Sequence, residues 1–273
     1  MKKFIPALFI LLFYVAFPQP YAGVRQIALS NSEISTPESV LCATLNPASI
    51  NLLQGINAEV CVNPAPFGLT ELRTISTAAN IPSSFGSFGI AMQHYGFELY
   101  NELQIQAIFG RTILDSISAG ISFNLYTLNI RNYGSAWSLL ANIGFIFPIE
   151  KNITLAFSAH NIAGNRLGKI KEKLPSSFFV GASYNFDNSG RINFAFEKET
   201  NFAASFNSGV VIGLTEYFDL MASYKTEPAL IAAGLNIKYN NYKTQFAMNK
   251  HQILGVTYVF GLSAILSSAS SER

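Results

Sequence analysis

Along most of this chain the apolar residues recur at every second position. Ile117, Ala119, Ile121, Phe123 and Leu125 alternate with Ser118, Gly120, Ser122 and Asn124. Phe178, Val180, Ala182, Tyr184 and Phe186 alternate with Phe179, Gly181, Ser183 and Asn185. The same pattern runs through Ile153–Ala159 and Leu103–Gly110, with weaker copies at Ile192–Phe196, Phe206–Leu214, Tyr242–Met248 and Leu254–Phe260. Successive side chains of a strand point to opposite faces, so each segment has one greasy face and one small or polar face. The fold class is therefore all-β. In a soluble sandwich the polar face meets bulk water and carries Lys, Glu, Arg and Asp. Here it carries mostly Ser, Gly, Asn, Gln and Thr, which suits an enclosed polar lumen, while the Phe/Ile/Leu face suits lipid. The expected architecture is a transmembrane antiparallel β-barrel; a large soluble all-β protein is the rival reading.

Composition agrees. The 273 residues are 49% hydrophobic, 13% aromatic and 12% charged. That argues against disorder, which needs low hydrophobicity and high charge. Setting aside Lys2 and Lys3, the remaining basic residues equal the 16 acidic ones, so no basic excess points to a nucleic-acid partner.

The first 22 residues read as a secretory signal peptide. Met1-Lys2-Lys3 is followed by an apolar stretch from Phe4 to Phe17 and a small residue at Ala22. A retained anchor is the alternative, but a spanning helix needs about 20 apolar residues. Export with no later spanning helix leaves a periplasmic or secreted globule or a closed barrel in the bacterial outer membrane.

Turn signals divide residues 56–260 into fourteen segments: 56–65, 70–79, 85–95, 98–110, 116–130, 135–148, 153–162, 176–186, 191–199, 204–214, 217–225, 229–239, 242–248 and 252–260. Fourteen is an even count, as single-chain bacterial barrels have; twelve remains open if 56–79 is not all barrel. The barrel is placed at 55–261 and a C-terminal periplasmic tail at 262–273. With both ends periplasmic, the turns at 80–84, 187–190 and 240–241 fall on the inner side. The longest connection, 163–175, then lies outside with Arg166, Lys169, Lys171 and Lys173, where it could meet lipopolysaccharide phosphates or remain a solvated loop. Trp137, Tyr100, Tyr126, Tyr133, Tyr217 and Tyr242 are candidates for the interfacial aromatic girdles. Glu98, Glu102, Glu197 and Glu199 read as solvated rims.

Residues 23–54 do not alternate. Asn46 can cap a short helix and Pro47 fits its first position, so Asn46-Pro47-Ala48 marks a compact segment ahead of the barrel. Such a segment could enter the lumen as a plug or hatch, or hang as a periplasmic tail. Of the two cysteines, Cys61 falls on the lumen parity of its strand and Cys42 lies in the N-terminal segment. A disulfide between them or two unpaired thiols both fit an exported chain. The three histidines, His94, His160 and His251, sit on separate strands, and no nucleophile, phosphate-loop or metal-ligand spacing stands out. No enzymatic activity, metal or cofactor is expected.

The ordered motifs resemble the PorV/PorQ-like group of outer-membrane barrels, relatives of FadL-type transporters of hydrophobic compounds. The residues carrying the resemblance are Gly23, Arg25, Ala28, Leu29 and Asn31, then Asn46-Pro47-Ala48 and Phe67-Gly68-Leu69-Thr70-Glu71-Leu72. Later come Leu174-Pro175, Gly213 with Glu216-Tyr217, Glu227-Pro228 with Gly234, and His251 with Leu254-Gly255. Pro37-Glu38 and Ser30 depart from the group's acidic pair and Gly, so subfamily and cargo stay open. The resemblance implies fourteen strands with an inserted N-terminal hatch. It also implies a plugged channel for hydrophobic or small compounds or, alternatively, a scaffold or shuttle for secreted proteins, as in type IX secretion.

Overall fold

The computed structural model describes residues 21–168, 171–186 and 190–267. The expected signal segment, apart from its last two residues, lies outside them, as do Lys169, residues 187–189 and the end of the tail.

Fourteen antiparallel strands close into a barrel. They are β1 (Ile56–Asn63), β2 (Thr74–Ser83), β3 (Gly86–Phe97), β4 (Tyr100–Ile113), β5 (Ile117–Ile130), β6 (Gly134–Glu150), β7 (Ile153–His160), β10 (Ser177–Phe186), β11 (Gly190–Glu199), β12 (Ser205–Gly213), β13 (Phe218–Thr226), β14 (Ala229–Tyr239), β15 (Tyr242–His251) and β16 (Gly255–Ser267). Each pairs with its neighbour in the chain, and β1 closes on β16 with Val60 opposite Leu262 and Cys61 opposite Gly261. Between β7 and β10, β8 (Arg166–Leu167) and β9 (Glu172–Lys173) pair as a separate two-stranded sheet.

Two boundaries differ from the sequence reading. The barrel does not end at 261: β16 continues to Ser267, so the first half of the 262–273 tail is wall. Alternation persists there, and β1 offers Val60 to Ile56 as pairing partners for Leu262 to Ser267. The second strand runs from Thr74 rather than 70, because Thr70–Leu72 winds into a 3-10 turn.

The period-two faces separate as their chemistry demands. On β5, Ser118, Ser122 and Asn124 are buried inside while Ile121, Phe123 and Leu125 are exposed outside. Outward aromatics meet across strands: Phe88 and Phe109 lie 5.0 Å apart, Phe246 and Phe260 5.3 Å, and Phe194 and Phe206 5.8 Å. Such diagonal and direct pairs stabilise a sheet face. A continuous exposed apolar surface of this extent is stable against acyl chains, not water. Unheated protein is expected to migrate apart from boiled protein on a denaturing gel; identical mobility would count against a closed barrel.

Tyr133 (89% exposed), Trp137 (67%), Tyr217 and Tyr242 project outward near strand ends. Tyr126 and Tyr100 do not join them. Tyr126 sits between two outward positions, so parity turns it into the lumen, where it is fully buried with Leu128, Leu140, Leu167 and Leu174. Tyr100 shares the inner face with Glu102 and donates to its Oε1 at 2.7 Å.

Candidate functional site

The lumen is filled by residues 23–54. Helix α1 (Val24–Ala28) is one and a half turns long, and two 3-10 turns follow at Leu41–Thr44 and Pro47–Leu52. Pieces this short are marginal alone and draw their stability from packing. Val24, Ala28, Leu29, Leu41, Ala43 and Ile50 are fully buried against Ala91, Ile108, Ala247 and Val259 of the wall.

The wall admits them because its inner face is small where they touch it. A Cβ on Gly261 of β16 would lie 2.6 Å from Val24, one on Gly234 of β14 2.6 Å from Ala28, and one on Gly181 of β10 2.5 Å from Ile34. On the other side, Gly120 of β5 and Gly144 of β6 lie under Asn46-Pro47-Ala48, and Gly89 of β3 lies under Ile50. Gly110, Gly120 and Gly144 are register neighbours. The N-terminal segment thus runs around the inside of the barrel on a belt of inward glycines. Their role is close approach, since each lies in ordinary strand.

Asn46 uses both ends of its amide. Its Oδ1 accepts from Ala48 N at 3.1 Å, capping the turn that Pro47 begins. Its Nδ2 donates to Ile34 O at 2.9 Å and to Phe145 O of β6 at 3.4 Å. The same side chain therefore shapes the segment and ties it to the wall. Ala48 is packed without exposure beside Ile146 and Ala156.

Four charges fasten the opposite side. Arg25 pairs with Glu33 at 2.5 Å and Glu38 at 3.2 Å; Arg191 of β11 pairs with Glu33 and, at 3.0 Å, with Glu38. Burial works against the Arg25 charge, but Glu33 and Glu38 outweigh it and hold the guanidinium well above its ordinary pKa. Arg25, against an opposing effect of burial, and then Arg191, Lys243 and Lys238, hold the Glu38 carboxyl down at about 2, from an ordinary 4.5. A depressed carboxylate stabilises the seated segment above the ordinary pKa and loses that contribution as pH falls through the depressed one. Loosening is therefore expected between about pH 4.5 and pH 2, measured as protease access to residues 23–54 in the intact barrel. A Glu38→Gln variant should lose that acid step; an unchanged step would reject the assignment to Glu38.

Glu59 of β1 makes a further tie, accepting from Ser39 Oγ at 2.5 Å and Leu41 N at 3.2 Å. Cys42 and Cys61 are both free and buried, with no bond between them. Cys42 lies 3.9 Å from Glu33 Oε2 and Cys61 packs in the apolar cluster around Val24. Burial, then the nearby Glu33 carboxylate, pushes the Cys42 thiol well above its ordinary pKa, so it is a poor nucleophile while the segment is seated.

Towards the end of the barrel that carries the longer loops, two cavities open beside the segment. One of about 200 Å³ is lined by Gln104, Asn124, Leu140, Phe179, Glu199 and Lys225 among others. The second, about 220 Å³, is lined by Ile27, Pro66, Phe67, Leu72, Leu230 and Thr257 among others. Gln26, Asn31 and Lys225 border both. The described parts of the connection between β7 and β10, residues 161–168 and 171–175, fold over this mouth instead of standing free. Asn161 Nδ2 donates to Leu174 O and Pro175 O, each at 3.1 Å, and Leu167 and Leu174 are buried against Tyr126 and Leu140. Arg166, Lys171 and Lys173 stay exposed.

Two of the four expected rim glutamates are not solvated. Glu102 is 1% exposed, and Glu197 is held by Lys225 at 2.7 Å and Asn207 at 3.0 Å. Both occupy inward parity, which the alternating pattern contained. Glu98 is exposed and pairs with Arg131 at 2.5 Å. Among the described residues no group of three or more His, Cys, Asp or Glu could hold a metal ion.

No family profile matches the sequence, and no curated protein does. Solved structures do. The chain is similar to the toluene transporter TbuX of Ralstonia pickettii, with 11% identity and a TM-score of 0.70 over 94% of this chain and 100% of that one. It is similar to the toluene transporter TodX of Pseudomonas putida, with 10% identity and a TM-score of 0.69 over 92% and 100%. A FadL homologue of Pseudomonas aeruginosa matches at 11% identity and a TM-score of 0.64 over 91% and 98%. At such identities the shared property is the fold alone.

Proposed function

We propose that this protein is a bacterial outer-membrane channel for small, largely apolar compounds, its lumen closed by its own residues 23–54 after removal of 1–22 as an export signal. The carrying observation is a pair of cavities beside the segment, inside a closed barrel with a lipid-compatible outer face. A cavity of about 150 Å³ takes a benzene molecule, so about 200 Å³ suits a one-ring compound. The barrels of similar fold named as toluene transporters support this reading. In this reading outer-membrane lipid surrounds the wall, and the exposed Arg166, Lys171 and Lys173 would meet lipopolysaccharide phosphates.

Toluene or another one-ring compound should partition saturably into detergent-solubilised protein. Leu140→Trp, which fills the first cavity, should reduce the saturable part at least about tenfold, the equivalent of about 1.4 kcal/mol. Partition equal to that of empty micelles would reject the channel.

The alternative, a PorV/PorQ-like scaffold or shuttle for secreted proteins, draws on the motif resemblance from Gly23 to Leu254-Gly255 and on the exposed basic loop. Unchanged secretion of C-terminally targeted proteins in a deletion strain would exclude it.

A further inference from the structure

We propose that the cargo is amphipathic, an apolar body carrying a hydrogen-bond-donating, positively charged head such as a primary ammonium. This rests on the channel reading and narrows its substrate class.

Most of the amide N–H groups that line the first cavity are committed elsewhere. Gln106 Nε2 donates to Ser122 at 2.7 Å, Asn142 Nδ2 to Ser122 at 3.1 Å, Asn124 Nδ2 to Gln104 Oε1 at 2.8 Å, Asn161 Nδ2 to Leu174 O and Pro175 O, and Gln26 Nε2 to Leu41 O and Thr44 Oγ1. Asn124 Oδ1 is left buried with no partner among the described residues. His160 commits Nε2 to Leu45 O at 2.8 Å, which makes that nitrogen the donor. Lys225, the one Lys or Arg that lines the cavity among the described residues, is committed to Glu197 at 2.7 Å.

Glu199, on the same wall strand as Glu197, is half-buried and makes no ion pair among the described residues. Two carboxylates against one ammonium leave one negative charge unmatched, in a place partly withdrawn from water. A hydrocarbon leaves that charge and the orphan amide oxygen unserved, and a carboxylate is repelled. A donor-bearing cation satisfies them with charge-assisted hydrogen bonds. The apolar body has its own place in the same cavity, beside Leu45, Leu140 and Phe179.

The test is a one-ring series differing only in the head: toluene, benzyl alcohol, benzylamine and benzoate, each titrated into the detergent-solubilised full chain. Benzylamine should bind about tenfold tighter than toluene, the scale of a hydrogen bond to a charged group. Benzyl alcohol should fall between them and benzoate last. Glu199→Gln should remove most of the benzylamine preference over toluene, with the heat-modifiable gel shift showing that the variant barrel is closed. Toluene binding as tightly as benzylamine, or a preference that survives Glu199→Gln, overturns the proposal alone. Saturable binding of none of the four overturns the channel reading and this proposal with it.

Discussion

Arg191→Met is expected to unseat the N-terminal segment and expose Cys42 to alkylation about 100-fold faster than in the parent protein. Arg25, Glu33 and Glu38 all belong to the segment and leave with it. Arg191 is the wall's member of the quartet, and it bonds Glu33 and Glu38 together. Removing one partner of a buried ion pair costs roughly 3–5 kcal/mol, because the remaining charges stay desolvated. Glu38 is 39% exposed, so solvent screens part of this and the lower end applies. About 3 kcal/mol is a little over two decades in the open population. The thiol is the reporter because burial suppresses it in the seated state; a Cys61→Ala background makes the signal specific. Arg131→Met is the control, since its pair with Glu98 is exposed on both sides and such pairs contribute ~0–1 kcal/mol. Equal alkylation rates for the Arg191 and Arg131 variants would show that the quartet does not hold the segment.

Gly120→Val should unseat the N-terminal segment from the other side and open the lumen. A Cβ at Gly120 would fall on the Pro47–Ala48 peptide, which is backbone and cannot swing aside as a side-chain tip would. Overpacking of a tight contact costs about 1–3 kcal/mol. The relief available is for the 47–52 turn to lift off β5. Valine favours strand, so the barrel itself should form. In planar bilayers, openings should be at least about tenfold more frequent, on about 1.4 kcal/mol per decade. Ala119→Val, one residue away on the outward face, should change nothing. An unchanged conductance for Gly120→Val with an intact gel shift would mean that the belt is not the seat.

Much of the fold was legible in the chain because a strand exposes its environment at every second residue. Lipid on one side and a lumen on the other require opposite chemistries, and residues 117–125 state both. The same parity already placed Tyr126 and Glu102 inside. Their nearness to strand ends suggests girdle and rim, but the face a side chain occupies decides its surroundings. In the final strand the small residues Gly261, Ser263 and Ala264 weaken the contrast between faces, so its end is not marked by the pattern.

The sequence by itself determined the wall, since alternation is local and needs no knowledge of partners. It also marked the Asn46-Pro47-Ala48 turn, because a cap acts on its own backbone. Only the tertiary structure decided where the N-terminal segment sits. Gly89, Gly120, Gly181, Gly234 and Gly261 are far apart in the chain and become one belt only when register and shear bring them to a common level. Arg25, Glu33 and Glu38 find Arg191 for the same reason. Glu199 becomes an unmatched charge beside a cavity only once Lys225 has been claimed by Glu197. Each of these depends on distances across a closed barrel, and closure is a property of all fourteen strands together.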